Sequence, residues 1–484
     1  QADRLAPELV HFTRNNSRPE FGLAPFMAPL VPVEMNGMLK NSPHQIMLHD
    51  AAWQIQARAI ATLAFLNRPE HLFTSMNRID APDLQAELRA IAVPFRIPAA
   101  SLADQYFKET NTAGRRHLLQ LLGSYPSAAL PSATLTKLAD RLAEDFINDP
   151  DAGIHATIEW LLTQQWKQQI HLVAAVKKLP IQKTPQSTLS GWRVNSMGQT
   201  FTIVKSGKSF SMGAGADDPD RAMQGNIDLE LKHTVEMRHG FEISTREVTL
   251  GEYRRFRPGF NSLEKVNPGE LLDVPVTGVS WFDAIAYCQW LSEQEAIPES
   301  QWCFPRCDTI KPNIAINADI TRRTGYRLPT EQEWELVARA GNTMRYPCGM
   351  TTRHINHHAI TWNNGMEHLW VTGTKLPNDW GLFDTGGNAL EWTMDEFRKY
   401  DDPYLKSDLE QALRLGFIPV SDNSLRAIRG GSFNNSPTAT RMSARLAGQA
   451  NLHAASNGFR ICRTTIPAPP EKIKKTGGTP VRPN

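Results

Sequence analysis

Five cysteines and one cluster of histidines are the residues of this 484-residue chain whose types could do metal or redox chemistry. The cysteines are Cys288, Cys303, Cys307, Cys348 and Cys462. Their number is odd and their density low, so they do not read as a disulfide framework. Cys303 and Cys307 could close a small loop or form half a metal site, but no second cysteine pair completes a zinc set. Unremarkable thiols are the favoured reading. His354, His357 and His358 form the second candidate. His354 and His358 stand four apart, which on a helix would put them on one face. Gly349, Thr351 and Thr352 precede them, so the cluster reads as a solvated loop.

The elements that must position any such chemistry fall into three textures. From about Pro7 to Trp166 the sequence reads as helices. Leu135, Leu138, Leu142 and Phe146 recur at helical spacing, as do Leu84, Leu88 and Ile91. A polar turn followed by a helix recurs at Asp80, Thr110 and Asp149, with a drifting spacing that suits HEAT-like helix pairs. Residues 1–166 are therefore expected to be an all-α HEAT-like repeat domain. Residues 167–190, with Pro180, Lys183, Pro185 and Ser187, read as a linker. From Gly191 to Thr465 glycine, asparagine, tryptophan and arginine become frequent and regular periodicity becomes sparse. Two helices stand out there. One runs from Trp281 to Glu293 with Asp283 in its first turn. The other opens on a capping box, Thr330 with Glu333, and closes at Gly341. Residues 466–484 are Pro- and Lys-rich and read as a disordered tail.

Composition limits the function classes. The chain is 41% hydrophobic and 21% charged with a net charge of +2, ordinary for a soluble globular protein. Nothing in that balance points to nucleic acid. No apolar stretch reaches the length of a membrane span. No signal pattern is visible, and a start at Gln1 reads as a fragment or processed product, which leaves room for a removed signal or upstream domain. The compartment stays open.

An ordered set of motifs carries a resemblance. It comprises Phe210-Ser-Met-Gly213, Glu247-Val-Thr249 with Tyr253 and Phe256, and Pro275-Val-Thr-Gly-Val-Ser-Trp281. It continues through Gly325-Tyr-Arg-Leu-Pro-Thr330 to Trp334, Asn378-Asp-Trp-Gly-Leu-Phe-Asp384 and Gly387-Asn-Ala-Leu-Glu-Trp392. Arg429-Gly-Gly-Ser-Phe433 and Gly458-Phe-Arg460 close it. In this order over residues 191–465 the motifs resemble the formylglycine-generating-enzyme and sulfatase-modifying-factor family. The resemblance implies an α+β chain whose second domain is loop-rich and C-type-lectin-like. Most motif residues read as architecture. Arg327, Arg429 and Arg460 offer five donors each, and Trp281, Trp334 and Trp392 add buried area and one donor apiece.

The resemblance also implies sites. In the family a calcium is held at positions matched here by Asp384, Gly387, Ala389 and Glu391. Two carboxylates and two backbone carbonyls are hard oxygen ligands of the kind Ca²⁺ takes, and the ion is expected to be structural. Asn363 and Asn364 lie near a second family calcium segment without a clear match. The oxidase cysteines that bind copper would stand where this chain has Asn435 and Thr440, neither of which can supply a thiolate. Formylglycine-generating activity is therefore not expected. The iron-dependent sulfoxide synthases of the superfamily carry a His-x3-His-x-Glu motif in an N-terminal helical bundle. Residues 1–190 contain none, since His44 and His49 are five apart. Copper and iron are thus unsupported.

A binding reading remains. Asn434, Asn435, Thr438, Thr440, Gln449 and Asn451 are expected to line a polar loop face for a protein or small polar ligand, with a possible protein partner on the helical repeats. The competing expectation is an oxygen-dependent metal oxidoreductase or protein-modifying enzyme of the same superfamily. The combined layout, with Asp149-Pro-Asp-Ala-Gly-Ile-His155 before Gly191-Trp-Arg-Val194 and an insertion at Ile297 to Pro305, resembles sulfatase-modifying-factor proteins of planctomycete bacteria. Those often follow a Ser/Thr kinase domain, of which this chain shows no signature.

Overall fold

In the computed structural model, residues 43–168, 172, 175–176, 179, 190–224, 227–262, 272–403 and 405–466 are described. The expected helical stretch before residue 43, most of the expected linker and the tail beyond residue 466 lie outside the described residues.

The N-terminal region is helical, as its periodicity predicts. Among the described residues its helices are α1 Pro43–Phe65, α2 Glu70–Met76, α3 Pro82–Ile91, α4 Ala99–Lys108, α5 Thr112–Leu122, α6 Ser132–Asn148 and α7 Ala152–Trp160. The predicted stripe on α6 is the buried one: Leu138, Leu142 and Phe146 are inside, with Leu135 half-buried beside them. Two of the recurring polar turns are N-caps. Asn111 accepts a hydrogen bond from Gly114 N at 2.9 Å and starts α5. Asp151 accepts one from Ile154 N at 2.8 Å and starts α7. Helix α5 is central and packs on α2, α3, α4 and α7. Its Leu118, Leu119, Leu121 and Leu122 are wholly buried, and each such side chain contributes about 1.5–3 kcal/mol. No helix among the described residues is long and apolar enough to cross a membrane.

The C-terminal domain mixes short strands with long ordered loops. Nine strands form its two larger sheets: β1 Trp192–Val194, β2 Thr200–Val204, β3 Gly240–Ser244, β4 Tyr326–Arg327, β5 Leu390–Glu396, β6 Leu425–Arg429, β7 Leu446–Gln449, β8 Asn457–Gly458 and β9 Cys462–Ile466. The first sheet has the order β1-β2-β3-β9-β4 and is antiparallel throughout. The second has the order β7-β6-β5-β8, with β5 and β8 parallel. Both predicted helices form, as α9 Trp281–Gln294 and α10 Glu331–Arg339, preceded by α8 Leu250–Phe256 and followed by α11 Leu405–Leu415. The predicted Thr330–Glu333 capping box is present on α10. Helix α9 carries a second box, Ser280 with Asp283.

The helical region is docked on the C-terminal domain, and the segment from Asp149 to Trp160 is the seam. Gly191 N donates to Pro150 O at 2.7 Å, and Trp192 Nε1 donates to Asp149 O at 2.8 Å. His155 is stacked between Phe146 of α6 and Trp192 of β1, with ring centroids 4.0 and 3.7 Å away. A Cβ on Gly153 would stand 2.3 Å from Asp379 O, so only glycine lets α7 approach this closely. Leu376 and Phe383 of the C-terminal domain are part of the helical core itself.

Candidate functional site

The loop after β6 begins at Arg429, whose guanidinium is wholly buried. It pairs with Glu335 of α10 and donates to Ser443 O at 2.9 Å and Ala444 O at 2.7 Å. This staples both ends of the loop. Ser432 Oγ has one proton to give and sits 2.6 Å from Asn434 Oδ1 and 2.8 Å from Asn435 Oδ1. A short 3-10 turn, Pro437–Thr440, follows. Arg441 anchors its end by pairing with Glu230 at 2.6 Å.

The predicted loop face is only partly assembled. Asn434 is exposed and Asn435 and Thr438 are half-buried. Thr440 is 1% exposed and donates to Pro437 O at 2.8 Å. It therefore holds the turn closed and presents no group to solvent. Gln449 and Asn451 are exposed but lie elsewhere. Gln449 pairs with Leu425, at the end of β6 far from Arg429. Four residues of strand place it about 13 Å along β6 from the start of the loop. The β6–β7 hairpin, which the sequence did not disclose, carries them away.

The neighbours of Phe433 and Asn435 are instead Gly365 and Trp362. Trp362 N donates to Asn435 O at 3.1 Å. Trp362 and Met366 are 62% and 74% exposed, a degree uncommon for side chains of this size. Composition gave no signal for them. The adjacent Asn364 serves its own turn: Oδ1 accepts from Thr361 N at 2.8 Å and Nδ2 donates to Ala359 O at 2.9 Å.

The four residues matched to calcium lie behind this loop. Asp384 has a left-handed backbone, φ 53°, and is buried. Its Oδ2 accepts from Gly373 N at 2.7 Å, whereas Oδ1 has no partner among the described residues. Gly387 has φ 80°, and a Cβ there would stand 1.8 Å from Ile360 O. Its N–H reaches Gly430 O at 2.9 Å, which ties this segment to the loop. Glu391 is wholly buried and heavily engaged. Arg460 Nε and Nη2 donate to its two oxygens at 2.6 Å each, and Trp334 Nε1 donates to Oε2 at 2.7 Å. Glu247 joins the cluster, accepting from Ala389 N at 2.9 Å and Asn388 Nδ2 at 3.0 Å. Burial, then repulsion from Asp384 and Glu391, drives the Glu247 carboxyl well above its usual range. Burial also raises Asp384.

Two features of this cluster bear on whether a divalent cation could sit here. Asp384 Oδ1 is a buried carboxylate oxygen with no donor, and the carboxylates repel one another despite Arg460. Glu391 is the weaker half of the set, because both its oxygens already accept hydrogen bonds. Among the described residues no group of three or more His, Cys, Asp or Glu side chains could hold a metal ion, so an ion here would depend on the carbonyls of Gly387 and Ala389.

The other two candidates resolve differently. All five cysteines are free, and only Cys307 is not buried. Burial raises the thiols, Cys303 and Cys348 to about 12 and Cys307 to about 11, so none is a ready thiolate at neutral pH. Cys303 Sγ points to Gly325 O and Cys307 Sγ to Glu293. The histidine cluster corrects the solvated-loop expectation. His354 Nε2 lies 2.8 Å from Glu87 Oε1 and His358 Nε2 lies 3.2 Å from Arg89 Nη2, both on α3. The cluster is part of the contact between the two regions.

Residues 188–465 match the sulfatase-modifying factor enzyme 1-like domain family. The chain belongs to it. The formylglycine-generating enzyme of Thermomonospora curvata is 28% identical over 205 residues, 38% of this chain and 54% of that enzyme. The inactive Cα-formylglycine-generating enzyme 2 of Bos taurus is 28% identical over 167 residues, 32% of this chain and 42% of the relative. The family therefore includes members named as inactive as well as active ones. The chain spans about half the length of these relatives. Among solved structures, PvdO from Pseudomonas aeruginosa superposes with a TM-score of 0.41 at 22% identity, covering 56% of this chain and 95% of that one.

Proposed function

We propose that this sulfatase-modifying-factor domain is a non-catalytic binding module. Its scaffold would be HEAT-like, its domain C-type-lectin-like, and its ligand a protein or a small polar molecule. The observation that carries the reading is the state of the two positions matched to the oxidase cysteines. Asn435 is hydrogen-bonded into the loop backbone, and Thr440 is buried with its hydroxyl spent on Pro437 O. The face left open is Asn434, Asn435 and Thr438 beside the exposed Trp362. Amides beside an exposed aromatic ring supply directed hydrogen bonds and a flat apolar platform, a combination common in recognition. Calcium, held by Asp384, Glu391 and the carbonyls of Gly387 and Ala389, would brace the segment behind the loop as a structural ion. Family members named as inactive give the reading a precedent.

Metal analysis of the purified full chain tests it. The expected result is calcium near one per chain, depleted in Asp384→Ala, with neither copper nor iron in stoichiometric amount. Calcium added to chelator-treated protein at a hundredfold over its Kd should stabilise it by about 3 kcal/mol. Stoichiometric copper or iron, with oxygen consumed in the presence of a cysteine-bearing peptide, would overturn the reading in favour of the oxidoreductase.

A further inference from the structure

A polar cleft lies between the helical region and the C-terminal domain. Gln85, Arg89, His117 and Gln120 line it from α3 and α5, and His358 and Asp379 face them from the C-terminal domain. The room inside it is about 20 Å³, and it opens to solvent at its mouth.

The arginines at this contact are not alike. Arg116 pairs with Asp151 at 3.2 Å and with Asp379 at 3.4 Å. Arg246 pairs with Glu159 at 3.1 Å, and Arg353 with Glu87 at 2.9 Å. Arg89 pairs with no carboxylate among the described residues. Its two partners are neutral acceptors, Gln120 Oε1 at 3.1 Å and His358 Nε2 at 3.2 Å. An arginine N–H can only donate, so His358 Nε2 accepts and the ring proton sits on Nδ1. That Nδ1 is buried without a partner. Arg89 has five N–H donors, of which these two bonds use two. Desolvation in the cleft pulls its guanidinium down to about 10, with only the more distant Cys348 and Asp379 opposing.

A guanidinium held in place by neutral groups, with no carboxylate within ion-pair distance among the described residues, is preorganised for an anion. We propose that this interdomain cleft binds a carboxylate, with Arg89 as its charged anchor. One feature favours a carboxylate over a phosphate. Asp379 keeps a negative charge in the cleft, so a dianion is disfavoured. The carboxylate could belong to a free small acid or to a peptide C-terminus.

The test is thermal shift and calorimetry on the full chain with three probes: propionate, N-acetyl-dialanine with a free C-terminus, and the same peptide amidated. Saturable binding of propionate, the free peptide or both is expected, with a Kd in the millimolar range or below. Binding of one alone identifies the source of the carboxylate. The amidated peptide should not bind. Arg89→Gln should weaken binding at least tenfold, and Arg89→Lys less, since it keeps the charge but loses the fork. Arg89 gives up no ion pair, so Arg89→Gln should fold with an unchanged near-UV circular dichroism spectrum. Absence of saturable binding for propionate and the free peptide would overturn the proposal. So would affinity that survives Arg89→Gln, or inorganic phosphate binding at Arg89 as tightly as propionate.

Discussion

The two regions of this chain bury their interiors by different means. The helical region has an aliphatic core, with Leu84, Leu88, Leu118 and Leu142 wholly inside. The C-terminal domain buries ion pairs beside its apolar core. Arg193 with Glu242, Arg327 with Glu333, Arg429 with Glu335 and Arg460 with Glu391 are sealed from solvent on both sides. The difference follows from backbone regularity. A helix satisfies its own peptide groups, so its core needs only apolar area. A loop-rich domain leaves carbonyls without ladder partners, and arginine answers them. Arg460 donates to Phe383 O at 3.0 Å besides pairing with Glu391, and Arg429 reaches Ser443 and Ala444. Tryptophan does the same on a smaller scale: Trp281 Nε1 reaches Thr393 O and Trp392 Nε1 reaches Val279 O.

The sharpest way to break this comparison is Arg460→Met. Removing one partner of a buried pair leaves the other charge uncompensated, which costs about 3–5 kcal/mol. Loss of the donor to Phe383 O adds to that. Urea unfolding should show this loss, while Leu118→Ala in the helical core should fall in the cavity range of about 2–5 kcal/mol. The double variant Arg460→Met, Glu391→Leu should recover part of the single loss, because the stranded carboxylate is gone. No recovery would mean that the carbonyl staple, and not the ion pair, is what Arg460 supplies.

The contact between the regions combines both modes, and Asp83 of α3 reports on it. Asp83 is buried and accepts a hydrogen bond from Met350 N at 2.9 Å across the contact. Burial pushes its carboxyl up to about 7, with the nearby Asp50 and Glu87 adding to the rise. The folded pKa is therefore higher than the unfolded one. Below about pH 4 both states hold the proton. Between about 4 and 7 only the unfolded state loses it, so stability falls as pH rises through 7. A rise of about three units corresponds to roughly 4 kcal/mol at most. Asp83→Asn should therefore be the more stable protein at pH 8, with the difference fading towards pH 4. Melting curves of the two proteins across that range check this. A constant difference at all pH values would show that Asp83 is not titrating in that window.

The same contrast explains what could be read in advance. The stripe at Leu138, Leu142 and Phe146 and the box at Thr330 and Glu333 are local patterns, and they form as expected. The buried arginines of the motifs were legible as architecture from their donor count. What failed depended on distant partners. Thr440 looks like a polar loop residue, yet it is packed inward against Gly386 and Gly431. Gln449 and Asn451 are close in sequence to Asn435, yet a hairpin separates them. His354 and His358 look solvated until α3 covers them. The segment from Asp149 to Trp160 stood out as a motif, but its role as a seam needs Trp192 and Asp379 beside it. Trp362 carried no pattern at all, since exposure is a property of the assembled surface.

The smallest expected effect separates local from tertiary design most cleanly. Asn111 caps α5 through one hydrogen bond to Gly114 N. Thr330 caps α10 in a box whose acid, Glu333, also holds Arg327 at 2.6 and 2.7 Å and His239 at 2.7 Å. The first cap is a local device and the second is part of a buried network. Asn111→Ala should therefore cost about 1 kcal/mol, and Asn111→Gly only a few tenths more than wild type. If glycine costs as much as alanine, the amide has a second role. The candidate is its support of the tight packing at Gly114, where an added Cβ would stand 2.0 Å from Asn77 Oδ1. That outcome would place even this cap among the tertiary contacts and weaken the division between the two regions. Chemical denaturation of the two variants side by side decides between them.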